Sequence, residues 1–522
     1  MSHRRDIPFL LHTGYARKSY FIRHSRIFAS DTAAAFTVSQ EFPQQKTFVL
    51  PKIKLTQEQE HIFTVIAEAG VRCNQPVYVI GGFVRDYYLK RRDAQKEADI
   101  DFVTVGSGID LALETARLLN TRQVSVFRNF GTAHIRYGNF DLEFVGARRE
   151  SYDRSSRKPF VENGSLQDDQ KRRDFTINAM SWSLSKGNWL DLIDPFGGMK
   201  DLEAGIIRTP LEPAQTYSDD PLRMMRAVRF AAQLQFHIEQ ESYDAITAMA
   251  RRLEIISKER ILEELNKIIL APVPSRGFKL LFHTGLLGQF SPEMIALHGV
   301  KEVDGVRHKD NFWHTLQVLD NISEHTDSLW LRWAAIMHDI GKPPTQRFSK
   351  EHGWTFHGHD AVGAAMTKRI FRRLGLPMDE RLRYVQKLVR LHLRPIALAN
   401  NEVSDSAVRR LIFEAGNDID DLMTLCRADI TSKNDEKVQR YLRNFDHVEE
   451  LVKIVEEKDQ LRNFQPPVDG LEIMEKLGLK PGPAVGEIKD AITNAILDGE
   501  IPNEREAALA FMYKTARQQE GP

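Results

Sequence analysis

The chain has 522 residues, more than one hydrophobic core usually supports, so about two to four domains are expected. Its 72 basic and 72 acidic side chains cancel, which excludes a globally basic protein and leaves local patches for any contact with nucleic acid. The cysteines, Cys73 and Cys426, are too few for a disulfide scaffold or a cysteine-rich zinc module, and no apolar run reaches the roughly 18 residues of a membrane span.

The N-terminal segment, residues 1–50, differs in composition from the rest of the chain. It is rich in Arg and Ser and poor in acids, which is typical of an organellar transit peptide or of a disordered extension. We predict a disordered extension. A pair of isolated cysteines suits a reducing compartment, so we expect a cytoplasmic protein.

Residues 51–150 have the pattern of a small α/β domain. Apolar residues at helical spacing predict a helix over 56–70 that ends at Gly70, and further helices from Gly82 to Tyr88 and over 109–119. Short apolar or alternating runs predict strands, which are "PVYVI" (76–80), "DIDFVTV" (99–105), "VSVF" (124–127), "TAHIRY" (132–137) and "DLEFVGA" (141–147).

From about Ser218 onward the pattern becomes almost entirely helical. The runs 220–234 and 258–270 are strongly amphipathic. Stretches rich in Pro and Gly at 271–277, 341–344 and 463–470 predict hinges between helical units.

Two carboxylates at the start of a strand provide the first chemical signal. Residues i and i+2 of a strand point to the same face, so Asp99 and Asp101 project together. Carboxylates are costly to bury without a partner, and two of them with substrate phosphates form the oxygen shell that Mg²⁺ prefers. Glu143, on a later strand, is a candidate third carboxylate. The pattern predicts a magnesium site, with a solvated turn as the alternative.

The glycines before this strand strengthen the prediction. Gly81 and Gly82 follow the strand 76–80, where they let the backbone approach a ligand, and the next helix offers its N-terminal N–H groups to an anion. A strand, a Gly-Gly turn, a helix and an Asp-x-Asp strand form the layout of a nucleotidyltransferase palm. In that chemistry, two metal ions hold the attacking and leaving oxygens of a phosphoryl displacement.

Ordered motifs then resemble one known family. "GGFVRD" (81–86) with "DID" (99–101) is similar to the first motif of class II tRNA nucleotidyltransferases and bacterial poly(A) polymerases. The later motifs of that family follow in order, as "RRDFTINAM" (172–180), "DPFGGMKDLEAGIIRT" (194–209), "DDPLRMMRAVRFAAQL" (219–234) and "SKERILEEL" (257–265). The resemblance implies a polymerase-β-like α/β head that transfers nucleotides with Mg²⁺.

The resemblance also implies roles for individual residues. Asp99, Asp101 and Glu143 are implied to be catalytic, the first two as magnesium ligands. The residues implied to bind the nucleotide are Gly81, Gly82, Arg85, Arg172, Arg173, Asp174, Asn178, Asp220, Arg223, Arg226 and Arg229. Asp220 and Arg223 are implied to read the incoming base, and their i,i+3 spacing predicts that they share one helix face, with a surface ion pair as the alternative. Asp219 departs from the family, where glutamate is usual.

The segment after the first motif bears on the product. "FRNFGTAHIRY" (127–137) resembles the Phe-Gly-Thr-Ala form of CCA-adding enzymes rather than the Gly-Arg-Arg-Phe element of poly(A) polymerases. We therefore expect addition of C, C and A to the 3′ end of tRNA from CTP and ATP, without a nucleic-acid template. A poly(A) polymerase, a CC-only enzyme and an A-only enzyme are the alternatives.

The middle of the chain resembles the HD phosphohydrolase superfamily. The dipeptide His338-Asp339 lies among helical segments that also bear His and Asp. The resemblance implies His314, His338, Asp339 and Asp429 as metal ligands, with His359 and His392 as further ligands of a two-metal variant. Imidazoles with carboxylates suit Mn²⁺, Fe²⁺, Ni²⁺ or Zn²⁺ better than Mg²⁺. A metal ion in such a site would acidify bound water for attack on a phosphoester, for instance a 2′,3′-cyclic phosphate or a damaged tRNA end.

Basic clusters and the tail complete the predictions about RNA. The clusters 146–158 and 170–174, with Tyr152 and Phe160 nearby, are candidates for phosphate and base contacts. The tail, 469–514, has the pattern of an amphipathic helical pair and is similar to tails that hold the tRNA elbow. The fusion with an HD domain resembles bacterial enzymes, which favours the disordered reading of residues 1–50 and a bacterial cytoplasmic location.

The predicted architecture is an α/β nucleotidyltransferase head followed by an all-α neck, an HD-type helical domain and a helical tail. The expected domains are an extension at 1–50, the head at 51–205, the neck at 206–285, the HD domain at 286–440 and the tRNA-binding tail at 441–522. The rival readings are an HD phosphohydrolase whose head only binds RNA and an adaptor in which both sites are inactive. The sequence leaves the oligomeric state open.

Overall fold

The computed structural model describes residues 53–90, 98–151, 160–399, 404–431, 434–459 and 466–519. The chain divides into two units, Met1–Lys54 and Leu55–Pro522. In the first unit only residues 53 and 54 are described, and neither belongs to a helix or strand. The predicted extension at 1–50 and Tyr152 lie outside the described residues. Every element below belongs to the second unit.

The head is a mixed sheet with helices packed against it. Its strands are β1 (Val77–Ile80), β2 (Ala98–Thr104), β3 (Val124–Phe127), β4 (Thr132–Tyr137), β5 (Phe140–Gly146), a separate hairpin of β6 (Arg148–Ser151) and β7 (Phe160–Asn163), then β8 (Ser181–Ser183) and β9 (Leu192–Ile193). Its helices are α1 (Gln57–Arg72), α2 (Gly82–Tyr88), α3 (Gly108–Leu118), α4 (Leu166–Lys171) and α5 (Gly198–Ala204). The main sheet has the order β3-β4-β5-β2-β1-β8-β9. Its pair β2–β5 is parallel, and its other neighbours are antiparallel.

Strand β2 explains why the two faces of this sheet differ. Ile100 and Phe102 alternate with Asp99 and Asp101, and both apolar side chains are fully buried. The Phe102 ring packs against Phe63 of α1, with ring centroids 5.8 Å apart. One face of β2 therefore belongs to the hydrophobic core, and the other presents its carboxylates.

One predicted helix end is wrong. The first helix does not end at Gly70 but runs on to Arg72, where Arg72 lies in the last turn. A Cβ atom on Gly70 would come within 2.5 Å of Cγ2 of Val77 and 2.9 Å of the Gln75 carbonyl oxygen. Gly70 thus allows close packing of α1 on the start of β1 instead of terminating the helix.

The neck is helical and also contains one short parallel pair of strands. Its helices are α6 (Pro213–Asp219), α7 (Leu222–Leu234), α8 (Gln240–Met249), α9 (Lys258–Ile269), α10 (Pro274–His283), α11 (Leu286–Phe290) and α12 (Pro292–Ala296). Two short parallel strands, β10 (Ile206–Ile207) and β11 (His237–Ile238), pair before and after α7. Helix α7 buries eight of its thirteen residues, so it forms the centre of the neck.

The next domain is helical with two small hairpins, which the sequence did not predict. Its helices are α13 (Asn311–Ser323), α14 (Leu329–Met337), α15 (Lys342–Thr345), α16 (His359–Leu374), α17 (Glu380–Leu391), α18 (Leu393–Ala399), α19 (Asp405–Ala415) and α20 (Ile419–Asp429). The hairpins pair β12 (Glu302–Val303) with β13 (Val306–Arg307) and β14 (Arg347–Ser349) with β15 (Gly353–Thr355). The predicted hinge at 341–344 is largely the short helix α15.

The tail differs from the predicted pair of helices. It contains α21 (Asp435–Asp459), α22 (Gly470–Leu477), α23 (Pro483–Leu497) and α24 (Arg505–Gln519). Gly478, with a φ of +63°, ends α22, and Pro483 begins α23 five residues later, so the segment 469–514 forms three helices. The boundary expected at residue 440 falls inside α21. No helix among the described residues combines the length and the apolar character needed to cross a membrane.

Candidate active site and metal centre

The carboxylates of the head meet across the parallel strands. The register of β2 and β5 sets Asp99 beside Asp141 and Asp101 beside Glu143. Burial raises the pKa of Asp101 to about 6, Glu143 and Asp99 add to the rise, and Arg173 opposes it. Accumulated negative charge of this kind favours a bound cation. The predicted third carboxylate, Glu143, therefore lies next to the Asp-x-Asp pair.

The three acids of the head do not by themselves form a compact cluster of ligand atoms. Among the described residues, groups of three or more ligand atoms within 4.8 Å of one another are found in the helical domain, and the head acids form no such group. Mg²⁺ is commonly held by one or two carboxylates together with substrate phosphates and water. The donor set of Asp99, Asp101 and Glu143 fits Mg²⁺ on that basis.

Gly81 brings the backbone against this acidic face. It has a φ of +86°, a conformation that glycine adopts without strain. A Cβ atom there would come within 2.8 Å of Nη1 of Arg173 and 3.2 Å of Oδ2 of Asp101. The predicted Gly-Gly turn thus leaves room for an arginine beside the carboxylate. Gly82, the first residue of α2, has no such crowding.

The sequence analysis missed Asp169, which orients the two predicted phosphate-binding arginines. Its side chain is fully buried, with Oδ1 2.9 Å from Nε of Arg172 and Oδ2 3.2 Å from Nε of Arg173. Burial opposes its ionisation, but both guanidinium groups hold the pKa of Asp169 below its usual value. The i,i+3 and i,i+4 spacing of an acid before two arginines is the signal that could have revealed it.

A second network links the head to the neck through Asp174. Its Oδ2 accepts hydrogen bonds from Nε and Nη2 of Arg226, at 2.7 and 2.6 Å, and its Oδ1 accepts one from Nδ2 of Asn178 at 2.9 Å. Burial opposes ionisation, but Arg226 and Asn178 hold the pKa of Asp174 at about 2. Asp174 and Arg226 both line a cavity between the neck and the sheet face that bears the carboxylates.

Three predicted nucleotide-binding residues lie behind this cavity rather than on its wall. Arg85 is 7% exposed and pairs with Asp86, and its Nη1 donates to Oδ1 of Asn178 at 2.6 Å. Arg229 is paired with Glu264 at 2.6 Å, with its guanidinium carbon 4.0 Å from the ring centroid of Phe230. Arg85, Asn178 and Arg229 are therefore placed to support the residues that face the cavity.

Asp220 and Arg223 both line the cavity, but the reason given from the sequence is wrong. Asp220 has an extended backbone with φ −139° and ψ 100° at the end of α6, and α7 begins only at Leu222. The two residues therefore do not share a helix face. Oδ1 of Asp220 accepts from the Leu222 amide at 3.1 Å, and Nη2 of Arg223 donates to the Arg172 carbonyl at 2.6 Å.

The cavity between the acidic sheet face and the neck encloses about 440 Å³. Its wall combines acids from the strands with arginines from the head and from α7. Among its lining residues are Asp101, Glu143, Arg172, Arg173, Asp174, Asp220, Arg223 and Arg226, Arg148 from the predicted basic cluster 146–158, and Thr132, Arg260, Glu264 and Lys267, for which no role was predicted from the sequence. Carboxylates and guanidinium groups that line the same cavity suit a metal–triphosphate ligand.

The helical domain brings its six predicted ligands together. His314, His338 and Asp429 form one group, and Asp339, His359 and His392 form another, each with ligand atoms within 4.8 Å of one another. Asp339 lies between them, because its Oδ2 is 3.3 Å from Nε2 of His338 and its Oδ1 is 3.4 Å from Nε2 of His359. The two groups are thus adjacent triads with a carboxylate at their junction.

Polar atoms in this cluster fit a metal ion. Nε2 of His338 is buried and makes no hydrogen bond of good geometry, although Oδ2 of Asp339 lies 3.3 Å away and Oδ1 of Asp429 lies 3.6 Å away. Burial lowers the pKa of His392 to about 4, so its imidazole is neutral near pH 7. Burial also disfavours a charged His338, but Asp339 and Asp429 outweigh it and raise the pKa of His338 to about 10. A cation would compensate the same two buried carboxylates. Imidazoles with carboxylates suit a divalent transition metal.

Protein-family models match successive segments of the chain, and the last two of these segments overlap. Residues 77–208 match a model described as "Poly A polymerase head domain", 235–297 match "Probable RNA and SrmB- binding site of polymerase A", and 311–434 match "HD domain". A further model, for a second domain of tRNA nucleotidyltransferases, matches 379–512. The first three matches follow the order of head, neck and helical domain.

Curated relatives are similar over most of their length. The chain is 33% identical to the A-adding tRNA nucleotidyltransferase of Deinococcus radiodurans over 68% of this chain and 81% of the relative. It is 30% identical to the CC-adding tRNA nucleotidyltransferase of Thermus thermophilus over 84% of this chain and 93% of that relative. It is also 32% identical to the multifunctional CCA protein of Nitrosospira multiformis, over 62% of this chain and 76% of that protein.

Solved structures share the fold. The CCA-adding enzyme of Bacillus stearothermophilus in complex with CTP matches with a TM-score of 0.62 and 23% identity, over 89% of this chain and 99% of that one. The Thermotoga maritima CCA-adding enzyme complexed with tRNA matches with a TM-score of 0.55 and 21% identity, over 88% and 96% of the two chains.

Proposed function

The chain belongs to the family of tRNA nucleotidyltransferases and poly(A) polymerases and is a nucleotidyltransferase with an HD domain, and from this premise we propose that it adds C, C and A to the 3′ end of tRNA. The donors are CTP and ATP, and no nucleic-acid template is required. The observation that carries the proposal is the cavity that combines Asp101 and Glu143 with Asp220 and Arg223.

Each group of residues has a part in the proposed reaction. Asp99 and Asp101, with Glu143 beside them, hold Mg²⁺, which when bound promotes attack of the tRNA 3′-hydroxyl on the α-phosphate and release of pyrophosphate. Arg172 and Arg173, oriented by Asp169, bind the triphosphate. Fixed positive charge there steadies the phosphate oxygens without rearrangement during the reaction.

The neck selects the base in this proposal. Asp220 offers acceptor oxygens and Arg223 offers a planar set of donors on one cavity wall. A carboxylate acceptor beside a guanidinium donor can distinguish the Watson–Crick edges of cytosine and adenine from those of the other bases. The tail, including α22 to α24, is proposed to hold the tRNA elbow. Tails of similar sequence belong to bacterial enzymes, which agrees with the proposed cytoplasmic location in a bacterium.

A restricted product is the alternative within the same chemistry. The Deinococcus relative is named for A addition and the Thermus relative for CC addition. A chain related to both could therefore add only part of the CCA end. The remaining alternative, a poly(A) polymerase, would use the same head.

Incorporation of labelled CTP and ATP decides among these products. The substrates are tRNAs that end at the discriminator base, at C and at CC. An enzyme that adds C, C and A extends all three tRNAs to a complete CCA end. A CC-adding enzyme leaves the last substrate unextended, an A-adding enzyme extends only that one, and a poly(A) polymerase produces a long A tail. Retained incorporation by an Asp99→Ala, Asp101→Ala double variant would contradict the proposed site.

A second function is favoured by the two triads of the helical domain. We propose that His314, His338, Asp339, His359, His392 and Asp429 hold a divalent transition metal, such as Mn²⁺, Ni²⁺ or Fe²⁺, and that the site hydrolyses phosphoesters at RNA ends. The buried Nε2 of His338, which lies close to the carboxylates of Asp339 and Asp429, supports it. Hydrolysis of 2′,3′-cyclic nucleotides with added Mn²⁺ or Ni²⁺ tests the activity. Rates no higher than those of a His338→Ala variant would contradict it, whereas nucleotide incorporation should be unchanged in that variant.

A further inference from the structure

The histidines of the HD metal centre differ in how their outer nitrogens are held. Three of them hydrogen-bond through Nδ1 to the carbonyl oxygen three residues earlier. The pairs are His338 with Ala335 at 2.7 Å, His359 with Phe356 at 2.8 Å and His392 with Val389 at 2.7 Å. A carbonyl only accepts, so Nδ1 of each ring is the donor, and Nε2 is the nitrogen that would bind an ion. His338 and His392 are held by carbonyls of their own helices, and His359 is held by the carbonyl of Phe356 just before α16.

His314 has a different partner. It lies in the first turn of α13, and its Nδ1 is 2.9 Å from Oγ1 of Thr431, which is 117 positions later in the chain. A hydroxyl can donate or accept, so it does not by itself select one tautomer. Nε2 of His314 also lies 2.9 Å from Oδ1 of Asp429, to which a protonated Nε2 can donate. His314 becomes a ligand only when its proton moves to Nδ1 and Thr431 accepts it.

Lys309 holds the threonine in place. Its Nζ donates to Oγ1 of Thr431 at 2.8 Å and to the Thr431 carbonyl at 3.3 Å. An ammonium group has no acceptor, so the hydroxyl must accept from it and keeps one further lone pair for His314. Thr431 follows Asp429 by two residues. The hydroxyl therefore connects two ligands of the same triad that come from α13 and α20.

We propose that Thr431, anchored by Lys309, is the positioning residue that makes His314 a metal ligand in the triad of His314, His338 and Asp429. The other triad, Asp339 with His359 and His392, depends on backbone carbonyls and needs no such residue. The inference rests on the proposed HD metal centre. Substitution of a residue that orients a metal ligand typically lowers metal affinity by about 10–100-fold. Loss of the hydroxyl should therefore weaken one metal position and leave the other.

Metal loading of Thr431→Val, Thr431→Ser and a control tests the inference. The control is Thr424→Val, because Thr424 lies on α20, the helix that ends two residues before Thr431, is half-buried, and its hydroxyl donates to the Asp420 carbonyl at 2.9 Å. Metal-free full-length proteins are titrated with Mn²⁺, bound metal is counted by elemental analysis, and EPR separates coupled from isolated ions. Melting of the metal-free proteins and nucleotide incorporation by the head verify folding.

The expected result is a loss of about 10–100-fold in Mn²⁺ affinity at one position of Thr431→Val, with the isolated-ion EPR signal of the other position retained. Thr431→Ser and Thr424→Val should behave like the original chain. Equal Mn²⁺ binding by Thr431→Val and the original chain would overturn the inference while the metal centre stands, as would equal losses in the Val and Ser variants. An original chain that binds no Mn²⁺ would overturn the metal centre and this inference together.

Discussion

Asp101 of β2 lies directly beside Glu143 of β5, in the parallel pair at the centre of the head sheet. The two carboxylates face the same cavity, and neighbouring charge from Glu143 adds to the effect of burial on the pKa of Asp101. Two acids so placed, together with Asp99, can hold a cation that neither would hold well alone. This relationship makes Glu143 the first residue to test after the Asp-x-Asp pair.

Replacing Glu143 with Gln should lower nucleotide incorporation by about 100-fold or more, because it removes one carboxylate from the proposed magnesium site. Single-turnover incorporation of CTP at saturating Mg²⁺ measures the effect. Glu60→Gln is the matched control, since it makes the same change at an exposed position of α1 in the head. Similar losses in both variants would contradict a special role for Glu143.

The glycine pair offers a matched test of backbone geometry. Gly81→Ala should reduce incorporation by at least about 10-fold, because its Cβ would crowd Arg173 and Asp101 and its φ of +86° is strained for alanine. Gly82→Ala should be nearly neutral, since the nearest atom to its Cβ would be Nη2 of Arg85 at 3.7 Å. The KM for CTP and the rate at saturation are measured for each. Equal effects would mean that the Gly81 conformation is not what matters.

Asp174→Asn should lower the free energy of unfolding at pH 7 by about 2 kcal/mol, since the folded chain holds the pKa of Asp174 at about 2 rather than 3.8. A lowered folded-state pKa means that the contribution is fully present above about pH 4 and is lost as the pH falls towards 2. Urea titrations at several pH values should therefore show that the free energies of unfolding of the variant and the original chain become equal as the pH falls towards 2.

The control for this prediction is Asp244→Asn. Asp244 is on the neck helix α8, where its Oδ1 accepts a hydrogen bond from Gln240 in an exposed position. An exposed contact of this kind contributes little, so the control should follow the original chain at every pH. A difference between Asp174→Asn and the original chain that stays constant down to pH 2 would show that the ion pair with Arg226 is not its source.

Arg223→Lys should separate charge from hydrogen-bond geometry in base selection. Lysine keeps the positive charge but lacks the planar fork, so kcat/KM for CTP and ATP should fall by about 10–100-fold, and discrimination against UTP and GTP should fall with it. Kinetics with all four nucleotides measure both effects. Arg251→Lys, at an exposed position of the neck, is the control and should change neither. Unaltered selectivity in Arg223→Lys would remove this residue from base recognition.

Much of the head could be predicted because its signals are local. The period of two along β2 fixes Asp99 and Asp101 on one face whatever the rest of the chain does. The apolar spacing of α1, the alternation of the strands and the ordered motifs likewise depend on residues close together in sequence. The six HD ligands were predicted from the resemblance to the HD superfamily, and the structure brings them together in two groups.

Other features depend on contacts between distant segments. Glu143 reaches Asp101 only because β2 and β5 pair in parallel in one register, and a shift of one residue would turn Glu143 to the other face. Arg85 has the sequence context of a phosphate ligand, yet packing of α2 against Asn178 buries it. Asp220 stands just before α7 rather than on it.

The sequence by itself therefore determined the family and the strand that carries the paired aspartates, since periodicity and residue type act over a few positions. The tertiary structure decided which acid joins the pair, which arginines face the cavity and which group holds His314. Those outcomes depend on register, on burial and on a hydroxyl 117 positions away, and no short-range pattern encodes them.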